Sequence, residues 1–271
     1  MKKIILTVLI IISLAYSFPI VFTFSNSYMT ERQINSNQIK LIPEEFNLQQ
    51  YFSLVTTKAQ FFKFFANSVK ITILIIAGQI VVGIFAAFAF AKMKFPGSNW
   101  IFAIYILAVL MPFQVTLVPN YLVFDKVEQL FRFKILDTHF AIILPGIFSS
   151  FGVFLLKQFI RNIPNELVEA ARIDGAGYIN ILFKIILPVI KPAIFTLVIL
   201  IFIDNWNLIE QALIFIDTES KVPLSVFLEN IYYNDHSVFF AGAVLYIIPA
   251  VFIFIKGEKY LNEGLGLGGS K

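Results

Sequence analysis

The residues able to do chemistry in this chain are few, and they fall in two stretches. The first runs from Ile163 to Pro192 (IPNELVEAARIDGAGYINILFKIILPVIKP) and holds Glu166, Glu169, Arg172 and Asp174 beside Gly175 and Gly177. The second holds Asp204, Asn205, Asn207, Glu210 and Gln211 around Trp206. Neither offers a reaction centre. No pair of carboxylates is set for acid–base work, and no HExxH or GxxxxGK[ST] pattern occurs, so the chain cannot bind ATP in the usual way. There is no cysteine, which excludes disulfides, thiol catalysis and cysteine metal sites. His139 and His236 are the only histidines and read as solvated residues near an outer surface. What remains is a short charged helix with a glycine turn between two apolar spans, and a polar stretch around Trp206.

Both stretches must be positioned by apolar elements. Of 271 residues, 58% are hydrophobic and only 14% charged, and mean hydropathy is +0.82. Soluble domains carry about 45–50% apolar and about 25% charged residues. Several runs approach or exceed the roughly 20 apolar residues that cross a bilayer. The chain is therefore read as an all-α, polytopic membrane protein forming one membrane domain. The net charge of +4 fits lysines and arginines facing the cytoplasm better than any contact with nucleic acid.

Six spans are expected, at about 4–24, 69–91, 100–118, 139–159, 191–215 and 238–255. Lys2 and Lys3 before the first run also suit a signal peptide, with Ala15-Tyr16-Ser17 as a passable cleavage site, but the run continues past it to Phe24. The stretch from Ser25 to Ser68 reads as a loop followed by short amphipathic helices, with Phe61, Phe62, Phe64 and Phe65 at the interface. Gly83, Ala86, Ala87 and Ala91 permit close helix contact in lipid. Pro112 breaks the helical ladder of the third span, where Gln114 serves either an interhelical hydrogen bond or a cavity. Asn120 to Thr138 reads as an external loop. Pro145, Ser149 and Gly152 make the fourth span kinkable. With both termini inside, lysine and arginine are denser in the cytoplasmic segments, as the orientation rule requires.

Within 163–188, Pro164 suits a helix start, and Glu166 and Glu169 lie near its positive end. Arg172 is within reach of Glu169. Gly175 and Gly177 let the backbone leave the helix, and a second helix from Tyr178 to Leu187 is stopped or kinked by Pro188 and Pro192. Asp204, Asn207 and Gln211 are spaced to share one helical face. Polar groups at membrane depth usually face a cavity or partner. If the helix instead ends near Ile203, the same residues are simply wet.

The pattern Glu169-Ala170-Ala171, three residues, Gly175, nine residues, Ile185, one residue, Leu187-Pro188 resembles the EAA motif of binding-protein-dependent ABC importer permeases at every defined position. Asp174-Gly175-Ala176 resembles the carbohydrate-uptake branch, relatives of the maltose system. Met111–Pro119 resembles that family's PxQvtliP stretch, and Asn205-Trp206-Asn207 its GNWN element. Asp204 stands where the family's glycine is usual and Ala212 where its proline is. The glycine-rich tail from Gly264 also matches.

The resemblance implies a type I importer permease: six transmembrane helices with a cytoplasmic coupling helix, multi-pass in the bacterial plasma membrane with both termini cytoplasmic. It implies a second homologous permease, a dimer of ABC ATPases that binds the ATP and magnesium, and an extracytoplasmic sugar-binding protein. The chain itself would hold no cofactor, and lipid would surround it. Glu166, Glu169, Ala170, Ala171, Asp174 and Gly175 would couple to the ATPase. Gln114, Ser149, Asp204, Asn205, Trp206, Asn207, Glu210 and Gln211 would line the translocation path. A di- or oligosaccharide is the expected solute and a glycerol phosphate-type solute the alternative. A stand-alone secondary carrier or membrane enzyme is the competing class.

Overall fold

The computed structural model describes residues 2–36, 40–56 and 61–266, with side chains as far as Leu261. Most of the glycine-rich tail lies outside the described residues. No strand occurs among the described residues. Among the described residues, four helical stretches are long and apolar enough to cross a membrane, or six when each of two sharply bent helix pairs counts as one span. The chain divides into two compact units, Met1–Ala66 with Leu224–Ala250, and Asn67–Pro223 with Val251–Lys271.

The first unit opens with α1, Lys2–Asn26, whose 25 residues rise about 37 Å, enough for a hydrocarbon core of about 30 Å. Residues 2–21 are all exposed. Thr7 and Ser17 turn their hydroxyls back onto Lys3 O and Ser13 O, so the helix satisfies its own polar groups. The short helices α2, Glu31–Ile34, and α3, Gln49–Val55, follow. Buried Gln50 pins the connection by donating to Ser27 O and Met29 O.

Helix α4, Phe61–Lys92, begins in this unit. Its aromatic start is not the uniform interfacial cluster expected. Phe61 and Phe64 are core residues, with Phe64 stacked on Phe227 at 4.3 Å, while Phe62 is exposed. A helix turns every 3.6 residues, so consecutive rings cannot share one environment.

The second unit takes the rest of α4, then α5, Ser98–Val109, and α6, Phe113–Phe131. These two meet at 106° across Leu110–Pro112. The stretch expected as a straight span over 100–118 is thus bent, and much of the expected loop at Asn120–Thr138 is helix. Pro112 lacks an N–H to continue the ladder, yet its extended φ and ψ suit a helix start, so α6 restarts in a new direction.

Helices α7, Phe140–Ile147, and α8, Ser150–Arg161, form the fourth span with a break at Phe148–Ser149. Ser149 accepts from Gly152 N at 3.3 Å and so caps α8. Buried Gln79 of α4 donates to Gly146 O at 2.6 Å, a carbonyl near the end of α7. Here α4 and α7 approach closely. A Cβ at Gly146 would lie 2.8 Å from Ile75, and one at Gly78 would collide with Ile147.

Next come α9, Asn165–Ile173, and α10, Tyr178–Ile181, then a π-helical turn, Leu182–Ile186, and α11, Leu187–Val189. Helix α12, Lys191–Trp206, leaves this segment at 76°. Helix α13, Glu210–Phe215, stands beyond a break, and a 3-10 turn, Glu219–Lys221, ends the stretch. Helix α14, Leu224–Asn234, and the start of α15, His236–Gly266, return to the first unit, where Gly242 lets Leu228 come close. The later part of α15 packs on α12, with Tyr260 stacked on Phe195 at 4.3 Å.

Candidate functional site

Two surfaces of the second unit carry the residues singled out above. The first is α9 and its flanks. Pro164 is extended (φ −54°, ψ 136°) and stands just outside the helix, with Glu166 in the first turn and Arg172 in the last, where each suits the helix dipole. Lys92, ending α4, donates to Ile163 O at 2.5 Å and to Asn165 Oδ1 at 2.7 Å, which braces the entry.

The exit is a complete Schellman closure. Gly175 N donates to Arg172 O at 3.0 Å and Ala176 N to Ala171 O at 2.9 Å, while Gly175 takes φ +84°. Arg172 does not pair with Glu169. Its guanidinium lies 5.2 Å from the centroid of the Tyr178 ring, whose edge meets Phe88.

Between these braced ends the helix is bare. Val168 alone is buried within it; Glu166, Glu169, Ala170 and Asp174 are exposed and Ala171 is half-buried. Leu167 and Ile173 also point outward, at 50% and 87% exposure. The π-turn follows just ahead of Pro188, whose missing N–H and ring crowd an ordinary α-turn.

The second surface lies where α12 ends. A continuous helix through Gln211 would put Asp204, Asn207 and Gln211 on one face, but α12 stops at Trp206 and the chain restarts at Glu210. Asn205 Nδ2 donates to Ile201 O and Asn207 Nδ2 to Ile203 O, both at 2.8 Å, so these amides satisfy carbonyls at the helix end. Trp206 is 2% exposed and stacks on Phe202 at 5.1 Å, which makes it core. Asp204, Asn207 and Glu210 are exposed, and Gln211 is half-buried. Across the bend of the third span, Gln114 Nε2 donates to Glu210 Oε2 at 3.3 Å. The structure thus joins Gln114 with Glu210 and leaves Ser149 as a helix cap.

Sequence reasoning missed how α13 is held. Asp137 is left-handed, at φ +55°, and its N–H donates to Phe215 O at 2.7 Å. Its Oδ1 accepts from Thr218 N and its Oδ2 from Thr218 Oγ1 and Lys221 Nζ, all at 2.8 Å. Lys221 Nζ also donates to Asp137 O at 2.7 Å, and Lys134 approaches Oδ2 at 3.3 Å. The Lys221 ammonium, then the Thr218 N–H, hold the Asp137 carboxyl well below the usual carboxylate range. His139, expected to be solvated, is half-buried and bonds Lys221 O through Nε2 at 2.8 Å. Asn67 Nδ2 donates to Ser220 O and Val222 O. No composition or motif marks Asp137, Thr218 or Lys221, and His139 shows only as a lone histidine at the expected start of a span. Among the described residues, no group of three or more His, Cys, Asp or Glu could hold a metal ion.

Residues 79–264 match the family model described as "Binding-protein-dependent transport system inner membrane component". The chain is 29% identical to the arabinooligosaccharides transport system permease protein AraQ of Halalkalibacterium halodurans, over 94% of this chain and 91% of that one. It is 28% identical to the sn-glycerol-3-phosphate transport system permease protein UgpE of Brucella abortus, over 95% and 93%. A solved bacterial ABC transporter involved in import of the acidic polysaccharide alginate shares the fold, with a TM-score of 0.84 over 96% of this chain and 95% of its own at 24% identity. The match covers both surfaces and most of the spans that carry them, and this chain belongs to the family of inner membrane components of binding-protein-dependent transport systems.

Proposed function

We propose that this chain is the permease subunit that couples ATP use to import of a neutral di- or oligosaccharide, acting as half of a translocation path. A second homologous permease supplies the other half, a dimer of ABC ATPases binds the ATP and magnesium, and an extracytoplasmic sugar-binding protein delivers the solute. Both termini face the cytoplasm, and α9 with its flanks over 163–188 is the coupling element.

The observation that carries this reading is α9 itself. It is braced at both ends by Lys92 and the Gly175 closure, yet exposed along its length. A helix held rigidly at its ends and bare between them transmits force to whatever grips it. Glu169 then meets a cationic group of the ATPase, and Glu166, Ala170, Ala171 and Asp174 complete the contact. A stand-alone carrier or membrane enzyme would have no use for such a helix.

The path wall is assigned to Gln114 and Glu210, with Asp204, Asn207 and Gln211 beside them, Asn205 and Trp206 shaping the helix end and Ser149 the break in the fourth span. Carboxylates and amides suit sugar hydroxyls, and the carboxylates repel an anion. This favours a neutral sugar over the glycerol phosphate that the Brucella relative is named for.

The test is purification of the tagged chain from its native membranes in mild detergent, with mass identification of its companions. A second permease, an ATPase and a sugar-binding protein are expected. Recovery of the chain alone, unchanged by Glu169→Lys, would overturn the reading.

A further inference from the structure

We infer that Asp137 is a positioning residue for the translocation path, holding α13 so that Glu210 stays opposite Gln114. The inference rests on the reading that Gln114 and Glu210 line the path. A six-residue helix has almost no stability of its own, so its place is set by what grips its ends. At the near end α13 follows the break at residues 207–209. At the far end Phe215 is buried, its ring edge meets Phe124, and its carbonyl receives the Asp137 N–H.

The Asp137 side chain then grips the segment leaving α13. One carboxylate oxygen takes the Thr218 N–H, and the other takes the Thr218 hydroxyl and the Lys221 ammonium. All these partners are donors, so the site needs an acceptor at both oxygens. An asparagine of the same shape would aim its NH2 at a donor whichever way it turned. The side chain is only 13% exposed, so water cannot readily replace a lost partner. Asn67 and His139, at the starts of the second and fourth spans, hold the same segment by its carbonyls. Asp137 therefore lies in a fixed frame and acts on Glu210 through Phe215, without touching the solute.

The chain has no cysteine, which makes the test clean. Gln114→Cys with Glu210→Cys in the assembled importer should cross-link readily with a short bifunctional thiol reagent. Adding Asp137→Asn should lower that yield about tenfold, the factor expected when a hydrogen bond to a charged group is lost. Membrane level and ATPase recovery should stay unchanged. In a chain with native Gln114 and Glu210, Asp137→Asn should raise the KM for sugar uptake more than it lowers the maximal rate, and Lys221→Arg should preserve both. An unchanged cross-link in Asp137→Asn overturns the inference. A weakened cross-link with unchanged KM upholds the positioning and instead removes Glu210 from the path. Should Asp137→Asn fail to accumulate, Thr218→Val deletes one donor and leaves the rest. A smaller fall in cross-linking is then expected, and no fall overturns the inference.

Discussion

Helices α9 and α13 are both short, and they are held in opposite ways. Helix α9 has nine residues, is braced at its start by Lys92 and closed at its end by the Gly175 turn, and presents nearly all of its surface outward. Helix α13 has six residues, follows a break, and is locked from beyond its end by a carboxylate that neighbouring groups bracket with donors. On the proposed function the first is there to be gripped by something else, the second to keep a side chain in one place. The difference teaches that exposure and disorder are separate properties. The exposed helix is the one fixed at both termini, with Val168 as its only buried residue between them.

That contrast can be broken experimentally. The largest effect is expected from Glu169→Lys. It touches no neighbour that holds the fold, so the protein should insert at its normal level while uptake by the assembled importer is abolished. Normal uptake would end the coupling assignment. Gly175→Val comes next. A Cβ there meets nothing within 4 Å, so the cost is the left-handed backbone, about 1–2 kcal/mol, spent on opening the Schellman closure. Uptake should fall strongly with little loss of chain from the membrane, as quantitative immunoblotting beside a transport assay would reveal.

Gly78→Leu should do the reverse. It forces α4 away from Ile147, costs at least about 1–3 kcal/mol, and should reduce the folded protein recovered in detergent before any effect on coupling per molecule. A smaller change is expected from Gln79→Leu, which strips the donor from Gly146 O and should lower thermal stability by about 1–3 kcal/mol.

The smallest effect concerns acid. The Asp137 carboxyl is depressed in the folded state, so its stabilisation is complete above the ordinary carboxylate value of 3.8 and is lost progressively as pH falls from there toward the lower folded value. Thermal unfolding should show the stability gap between wild type and Asp137→Asn shrinking below about pH 4. A gap that stayed constant to pH 3 would mean that the carboxylate's charge plays no part.

Much of this was legible in the chain. Apolar runs announce spans because a bilayer sets their length, and the spacing of Glu169, Gly175 and Leu187-Pro188 locates α9 with its closure. The bends were not legible. Pro112 breaks a ladder, but the 106° turn depends on where α6 packs afterwards. The stop at Trp206 depends on Asn205 and Asn207 turning back onto the helix, and the same amides could have faced a cavity. Ala86 and Ala91 look like packing residues, yet close approaches fall at Gly78, Gly146 and Gly257, because shape is set by both partners of a crossing and sequence lists only one. Asp137 stood unnoticed for the same reason: its donors come from residues about 80 positions away.

The π-turn at Leu182–Ile186 carries a further consequence. Such a turn holds one residue more than an α-turn would need. Deleting one residue there would let an ordinary α-turn span the same gap and leave everything downstream nearly in place, whereas forcing all five residues into α-register would swing it by about 100° about the helix axis. The length that matters is that of the α-turns on either side, where one residue added or lost would rotate α12 relative to α9 by about 100°.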